Sequence, residues 1–375
     1  MLDRRDFMGA VAAATAIAAS AQARGASGDE PIRQVLMKIV GSRSPSGGAI
    51  AAIVDENAVR TVVHGSSGAP GVELDGQTVF EIGSVTKVFT ALLLTDMAAR
   101  GEVALDDPLA KYLPPGVTLR ERGRPITLLD LANYNAGLPP LPGNLPPRWW
   151  ESPNPFVNYT ADDLYAFMSG YQPEDAPGGR FVYSSLGFAL LGQALARRAG
   201  KSYEALVFER ICEPLGLSQT RILLSADMRR QLAQPHDLDM KPTPLWDLQA
   251  LGGAGALRSS VGDVTNFLKA CMGLGSTPLS RPMAQLLETR RPTTVAGTDA
   301  ALGWFVSSYG KEQIAWKSGL TGGFNTFLGF STRRRRGALL VTNFLWQPLD
   351  TGTTAAGMKL IDPDFDAGDL SPLYV

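Results

Sequence analysis

Cysteine and histidine are scarce in this chain. Its 375 residues hold two of each, Cys212 and Cys271, His64 and His236. Four such residues, widely scattered, do not make a zinc site, and no metal or other cofactor is expected. Cys271 falls in an apolar helical pattern with Phe267, Leu268 and Met272, so two structural thiols are expected rather than a disulfide. Net charge is nearly absent as well. Lys and Arg total 35 against 36 Asp and Glu, a formal −1, which gives no electrostatic footprint for nucleic acid. Neither G-x-x-x-x-G-K-[ST] nor a G-x-G-x-x-G turn after a strand is present, so nucleotide binding has no support. No G-x-S-x-G elbow occurs. Neither histidine has a triad-like setting, and His64, at the end of a β-type run, reads as a surface or packing residue. Past the N-terminus no apolar run approaches the roughly 20 residues that span a bilayer.

What is present begins with an export pattern. Arg4 and Arg5 precede Phe7, an apolar run from Gly9 to Ser20, and then Ala21-Gln22-Ala23. These are the three parts of a secretion signal, and the run, about 12 residues, is too short to be a membrane helix. The expectation is a twin-arginine signal over residues 1–23, cleaved after Ala23, and a periplasmic, monomeric mature protein without a membrane segment. Asp3, Arg4, Arg5 and Asp6 cancel, so the mature charge is still −1.

About 350 residues then leave room for two lobes. Pro31–Val40 has helical period. Ala49–Val54 and Ala58–His64 read as a hairpin around Asp55-Glu56-Asn57. A helical block follows, with a helix beginning near Thr127 and another opened by the capping-box pattern Thr160-Ala-Asp-Asp163. It is interrupted by the proline-rich stretch from Pro139 to Pro155, a long loop bearing Trp149 and Trp150 that either lines a site or packs on the surface. A helix spans Phe188–Ala199, and Ser260-Val-Gly-Asp263 opens another. Ala301–Ser308, Gln313–Lys317, Gly323–Ser331 and Gly337–Asn343 read as four antiparallel strands, with Arg333–Arg336 as a solvated hairpin tip. The expected class is α/β (α+β): an antiparallel sheet flanked by helices, with an inserted all-helical lobe. Residues 31–100 and 250–360 would form the discontinuous sheet lobe and 101–249 the mostly helical one.

The candidate chemistry centres on Phe80-Glu-Ile-Gly-Ser-Val-Thr-Lys87, a strand end, a glycine turn and a helix opening at Ser84. Ser84 and Lys87 share one helix face, a turn apart. An amine thus lies beside a hydroxyl at a helix N-terminus, where backbone N–H groups are unpaired. The S-x-x-K pattern alone is weak, since Ser308-Tyr-Gly-Lys311 also matches it and reads as a turn. Two further pieces stand with it: Tyr183-Ser-Ser185 before a helix, and Lys317-Ser318-Gly319 at a strand end, followed by Leu320-Thr-Gly-Gly.

This set resembles the serine β-lactamase and penicillin-binding-protein superfamily, in particular the class C β-lactamases with their DD-peptidase and esterase relatives. Phe80–Leu113, Ile126–Leu138, Tyr183–Leu217 and Leu302–Asn343 share in the resemblance. It implies the β-lactamase/DD-peptidase fold and an acyl-enzyme on Ser84. It also implies that Lys87 and Tyr183 divide the proton transfers between them, which of the two is the base being open. A free tyrosine has a pKa of about 10, so Tyr183 needs the cations Lys87 and Lys317 nearby. Lys317, Ser318, Gly319 and Leu320 would hold the substrate carboxylate and backbone, and the N–H groups of Ser84 and Leu320 would form the oxyanion hole. The sequence departs from the family in two places. Ser185 stands where Asn is usual, and the K-T-G triplet is K-S-G. The first bears on substrate, because a hydroxyl is shorter than an amide and reaches less far. The leading expectation is β-lactam hydrolysis. The alternatives are a D-alanyl-D-alanine carboxypeptidase or endopeptidase, an esterase (disfavoured by Lys317), and a non-catalytic penicillin-binding sensor.

Overall fold

The computed structural model describes residues 28–348 and 351–366. The expected signal, residues 1–23, lies outside the described residues. Helix α1 spans residues 28–40. The strands are β1 (Gly48–Asp55), β2 (Val59–Gly65), β3 (Val79–Glu81), β4 (Arg258–Ser260), β5 (Arg291–Pro292), β6 (Thr298–Ala300), β7 (Phe305–Tyr309), β8 (Glu312–Leu320), β9 (Asn325–Ser331) and β10 (Arg336–Thr342). The helices after α1 are α2 (Thr86–Ala99), α3 (Leu128–Ala132), α4 (Ala161–Gly170), α5 (Ser185–Ala199), α6 (Tyr203–Val207), α7 (Glu213–Leu215), α8 (Ala226–Arg230), α9 (Gly252–Gly255), α10 (Val261–Cys271), α11 (Ser280–Glu288) and α12 (Thr351–Ile361).

Eight strands form one antiparallel sheet in the order β2-β1-β10-β9-β8-β7-β6-β5. The β1–β2 hairpin from the N-terminal part therefore pairs with the last strand, β10, and the helical segments between β3 and β4 lie in sequence between the two halves of the sheet. Strands β3 and β4 make a separate two-stranded ribbon. The central strands β1, β9 and β10 are apolar and buried almost throughout, which a sheet covered on both faces requires. Gly337 of β10 faces Leu268 and Met272 at α10, while Phe327 of β9 presses on Gly357 of α12. Gly337 pairs with Phe330, three residues from Phe327, so α10 and α12 cover opposite faces. Helix α2 is buried from Thr86 to Met97, as an all-round apolar helix must be.

The helix starts are capped. Thr127 Oγ1 accepts from the Asp130 N–H at 3.2 Å, and Asp130 accepts from the Thr127 N–H at 2.9 Å. Thr160 and Asp163 repeat the arrangement, and Ser260 caps α10.

Two expectations need correction. The strand placed at Ala301–Ser308 starts only at Phe305, with the short β6 before it. Gly303 takes φ +74°, and a Cβ there would lie 2.8 Å from the Lys87 carbonyl oxygen, so this turn is shaped to fit α2. Helix α2 begins at Thr86, after a 3₁₀ turn over Gly83–Val85 that carries Ser84. The arginine run forms the exposed tip between β9 and β10 as expected, with Arg336 opening β10, and its exposed members are also ion-paired. Arg334 meets Glu312 at 3.1 Å and Asp362 at 2.7 Å, Arg333 also meets Glu312, and Arg335 meets Glu56. The other Ser-x-x-Lys match, Ser308 to Lys311, is the β7–β8 turn, with Gly310 at φ +53°. Both thiols are free, and burial pushes that of Cys212 up to about 12.

Candidate active site

The site is built where the turn after β3 meets the end of β8. Gly83 has φ +49°, and a Cβ on it would fall 2.8 Å from the Leu320 backbone nitrogen. A Cβ on Gly319 would fall 2.1 Å from the Ile82 oxygen and 3.1 Å from the Ser84 nitrogen. Glycine at both positions lets two backbones touch, and it brings the N–H-bearing atoms of Ser84 and Leu320 to one place. The β7–β8 register ends at Phe305–Trp316, whereas β8 continues its pairing with β9 through Leu320. Lys317 to Leu320 therefore line the side of β8 that β7 has left. Ser318 is buried there.

Lys87 lies one helical turn after Ser84, with its Nζ 2.9 Å from the Ser84 Oγ. The same Nζ donates to the Ala254 carbonyl at 2.7 Å. Helices α5 and α9 come together at glycines: a Cβ on Gly253 would be 2.6 Å from the Phe188 oxygen and 3.0 Å from the Gly192 Cα. That approach turns two carbonyls towards α2, Ala254 to Lys87 and Gly253 to the Thr90 hydroxyl at 2.6 Å. Lys87 is wholly buried, and burial brings its ammonium down to about 7, because a charge in a low-dielectric interior loses its hydration.

Tyr183 enters from the other side. Ser184 caps α5 by accepting from the Gly187 N–H at 2.9 Å, and its hydroxyl donates to the Pro139 carbonyl at 2.7 Å. Ser185 is the first residue of α5, and its N–H donates to the Pro140 carbonyl at 2.9 Å. Lys317 donates to the Tyr183 hydroxyl at 3.0 Å. Its Nζ is 4.3 Å from the Tyr183 ring centroid and the Lys87 Nζ is 5.0 Å from it. The structure thus brings Ser84, Lys87, Tyr183, Lys317, Gly319 and Leu320 together. Ser185 is close in sequence but does not join the Lys87 pair, whose partners are Ser84 and Ala254.

Other contributors were not singled out from sequence. Ala254 holds Lys87; the run of glycines at 252–255 was its only signal, since close backbone approaches need glycine. Glu81, two residues before the glycine turn, is 3 % exposed. It accepts from the Trp246 N–H at 2.8 Å and lies 3.5 Å from the Arg258 guanidinium. Burial outweighs that arginine and raises its carboxyl to about 7. The proline-rich loop is pinned at both ends beside the site. One end takes the Ser184 and Ser185 bonds. The other takes Asn154 bonded to Asp247 at 3.0 Å and the Trp246 indole bonded to the Pro153 carbonyl at 3.1 Å. Trp149 packs on Phe156, and Trp150 is 65 % exposed.

Residues 18–355 match the family model described as Beta-lactamase. The chain belongs to the beta-lactamase family, and its class is that of the serine hydrolases with the β-lactamase/DD-peptidase fold. It is 31% identical over 279 residues to the D-alanyl-D-alanine-carboxypeptidase/endopeptidase AmpH of Escherichia coli K12, an alignment covering 70% of each chain. It is 26% identical over 300 residues to a beta-lactamase of Pseudomonas fluorescens, covering 71% of this chain and 79% of that one. Crystal structures of beta-lactamase/D-alanine carboxypeptidases share the fold. That from Pseudomonas syringae has a TM-score of 0.77 at 21% identity, covering 90% of this chain and 99% of its own. That from Yersinia pestis has a TM-score of 0.75 at 23% identity, covering 87% and 96%. Among the described residues no helix is long and apolar enough to cross a membrane, and no group of His, Cys, Asp and Glu could hold a metal ion.

Proposed function

We propose that this chain is an exported, periplasmic, monomeric hydrolase of the class C type that opens β-lactams through an acyl-enzyme on Ser84. The supporting observation is the 2.9 Å contact between Ser84 Oγ and the Nζ of a wholly buried Lys87. With its ammonium brought down to about 7, Lys87 is neutral in a large fraction of molecules near pH 7, and a neutral amine accepts the serine proton. Ser84 Oγ then bonds to the lactam carbonyl carbon, and the oxygen takes the negative charge between the N–H groups of Ser84 and Leu320. As the C–N bond breaks, the Tyr183 hydroxyl gives its proton to the nitrogen. The ammonium groups of Lys317 and protonated Lys87 offset the charge left on the phenol oxygen. Water attacks the ester next, with its proton returning through the same groups. Lys317 and Ser318 hold the substrate carboxylate on the open side of β8. The centre would lie between the sheet lobe, residues 31–100 and 250–360, and the helical lobe, residues 101–249.

A second reading is favoured by a specific observation. The relative aligned over 70% of each chain at 31% identity is named a D-alanyl-D-alanine-carboxypeptidase/endopeptidase. Ser185 also offers no amide, so a β-lactam side-chain amide loses a partner there while a peptide can be held along β8. In that reading the same Ser84 chemistry cleaves D-alanyl-D-alanine peptides. One experiment separates the two: steady-state turnover of nitrocefin, benzylpenicillin, a D-Ala-D-Ala peptide and p-nitrophenyl acetate on one preparation, with Ser84→Ala as control. Unchanged activity in Ser84→Ala sinks both readings. A long-lived penicilloyl adduct with peptide turnover selects the second.

A further inference from the structure

Tyr134 stands directly behind Tyr183 and has no part in the chemistry above. Its backbone has φ +60°, a region that bulky side chains rarely adopt and that marks functional sites when it is held by its surroundings. Its side chain is 1 % exposed, and its hydroxyl has no hydrogen-bond partner. Burial pushes its phenol well above the usual range, so it stays neutral.

What the position provides is a ring in one plane. The Tyr134 and Tyr183 rings stack with centroids 5.0 Å apart and an interplanar angle of 24°. Phe305, stacked at 5.7 Å, and Phe188, at 5.1 Å, hold the Tyr134 ring in turn. Its carbonyl accepts from the Val182 N–H at 2.8 Å, which fixes the backbone one residue before Tyr183. Tyr183 is only half-buried, so Tyr134 is a wall on one side of a ring that is otherwise partly open. The Lys317 Nζ lies near both rings, 4.3 Å from the Tyr183 centroid and 5.8 Å from that of Tyr134.

We propose that Tyr134 is a positioning residue, whose ring fixes the plane of Tyr183 so that the phenol oxygen stays on the Lys317 ammonium, where it can pass a proton. The inference rests on Tyr183 being the proton carrier. It concerns the ring, not the hydroxyl and not the backbone strain.

The test uses four variants of the full mature chain, Tyr134→Phe, Tyr134→His, Tyr134→Asn and Tyr183→Phe. Rates are measured on whichever of the four substrates above is turned over fastest and normalised to the folded fraction. His and Asn both tolerate positive φ, so they differ mainly in having or lacking a ring. Loss of the ring should lower kcat by about 10- to 100-fold with KM little changed, as expected for a misplaced reacting group. Tyr134→Phe and Tyr134→His should stay near wild type, and Tyr134→Phe should melt no lower. Wild-type kcat in Tyr134→Asn beside an inactive Tyr183→Phe overturns the inference and leaves the Tyr183 reading intact. A loss in Tyr134→Phe as large as in Tyr134→Asn also overturns it, by assigning the effect to the hydroxyl. Full activity in Tyr183→Phe removes its premise. If Tyr134→Asn does not fold, Tyr134→Leu takes its place with the same expected split between kcat and KM.

Discussion

Acidification should switch this enzyme off through Lys87. Burial brings that ammonium from the ordinary 10.5 to about 7, a displacement equivalent to about 5 kcal/mol against the charged form at 1.36 kcal/mol per tenfold. Only the neutral amine can accept the Ser84 proton. The kcat/KM should therefore rise with unit slope on a log scale up to about pH 7 and level off above it. At pH 5.5 it should be about thirtyfold below the plateau, since each pH unit below the pKa removes about nine-tenths of the neutral form. The assay is kcat/KM from pH 5 to 9 at constant ionic strength, which reports the free enzyme. A flat profile between pH 5.5 and 7.5 would refute the reasoning and leave Lys87 as a charged partner only. Glu81 is the competing source of such a limb, because its carboxyl is also raised to about 7. Glu81→Gln keeps an acceptor for the Trp246 N–H but cannot titrate, so the limb should survive in that variant. The two groups also leave opposite marks on stability. For Lys87 the folded pKa is lowered, so between about pH 7 and 10.5 the unfolded chain binds more protons and stability rises with pH. For Glu81 the folded pKa is raised, so stability is fullest below about pH 4.5 and falls as pH climbs through about 7. Lys87→Met should abolish the alkaline rise, and Glu81→Gln the fall.

The remaining predictions address the backbone contact, the substrate and the scaffold. Gly319→Ala would place a Cβ 2.1 Å from the Ile82 oxygen; the turn carrying Ser84 must shift, and turnover should fall by about 100-fold or more, the usual cost of losing one oxyanion donor. A Gly319→Ala enzyme with normal kcat would separate that contact from catalysis. Ser185→Asn should raise the benzylpenicillin-to-peptide ratio of kcat/KM by up to about tenfold, the worth of one added hydrogen bond; an unchanged ratio would clear Ser185 of any role in specificity. Thr127→Ala removes one half of the α3 capping box, 3.2 Å from the Asp130 N–H, and should cost about 1 kcal/mol of stability with kcat unchanged, read as a lower Tm.

Elements whose cause lies within a few residues were legible from the sequence. The helix start near Thr127, the capping box at Thr160, the hairpin at Asp55 and the C-terminal strands all follow from local signals, and the structure forms them. Boundaries failed where tertiary contact decides. The strand expected from Ala301 is broken because Gly303 must clear the backbone of α2, a contact spanning more than two hundred residues. The arginine run reads correctly as an exposed tip, but its ion pairs leave no local signal because the acids, Glu56, Glu312 and Asp362, are remote in sequence. Glu81 gave a weak signal as one acid in an apolar stretch, and Tyr134 gave none, since a strained φ leaves no pattern of residue types.

The same division runs through the site. Ser84 and Lys87 are neighbours on one turn, so their contact follows from spacing. The properties that would make Lys87 a base do not. Its lowered pKa comes from burial, and its position from the carbonyl of Ala254, 167 residues away. That carbonyl is in place because α5 and α9 meet at Gly192 and Gly253. A Cβ on Gly253 would strike the Phe188 oxygen at 2.6 Å. Any larger residue there would push α9 away from α5 and carry the Ala254 carbonyl with it. The motif thus supplies the amine, and the fit between two distant helices places the carbonyl that holds it against Ser84.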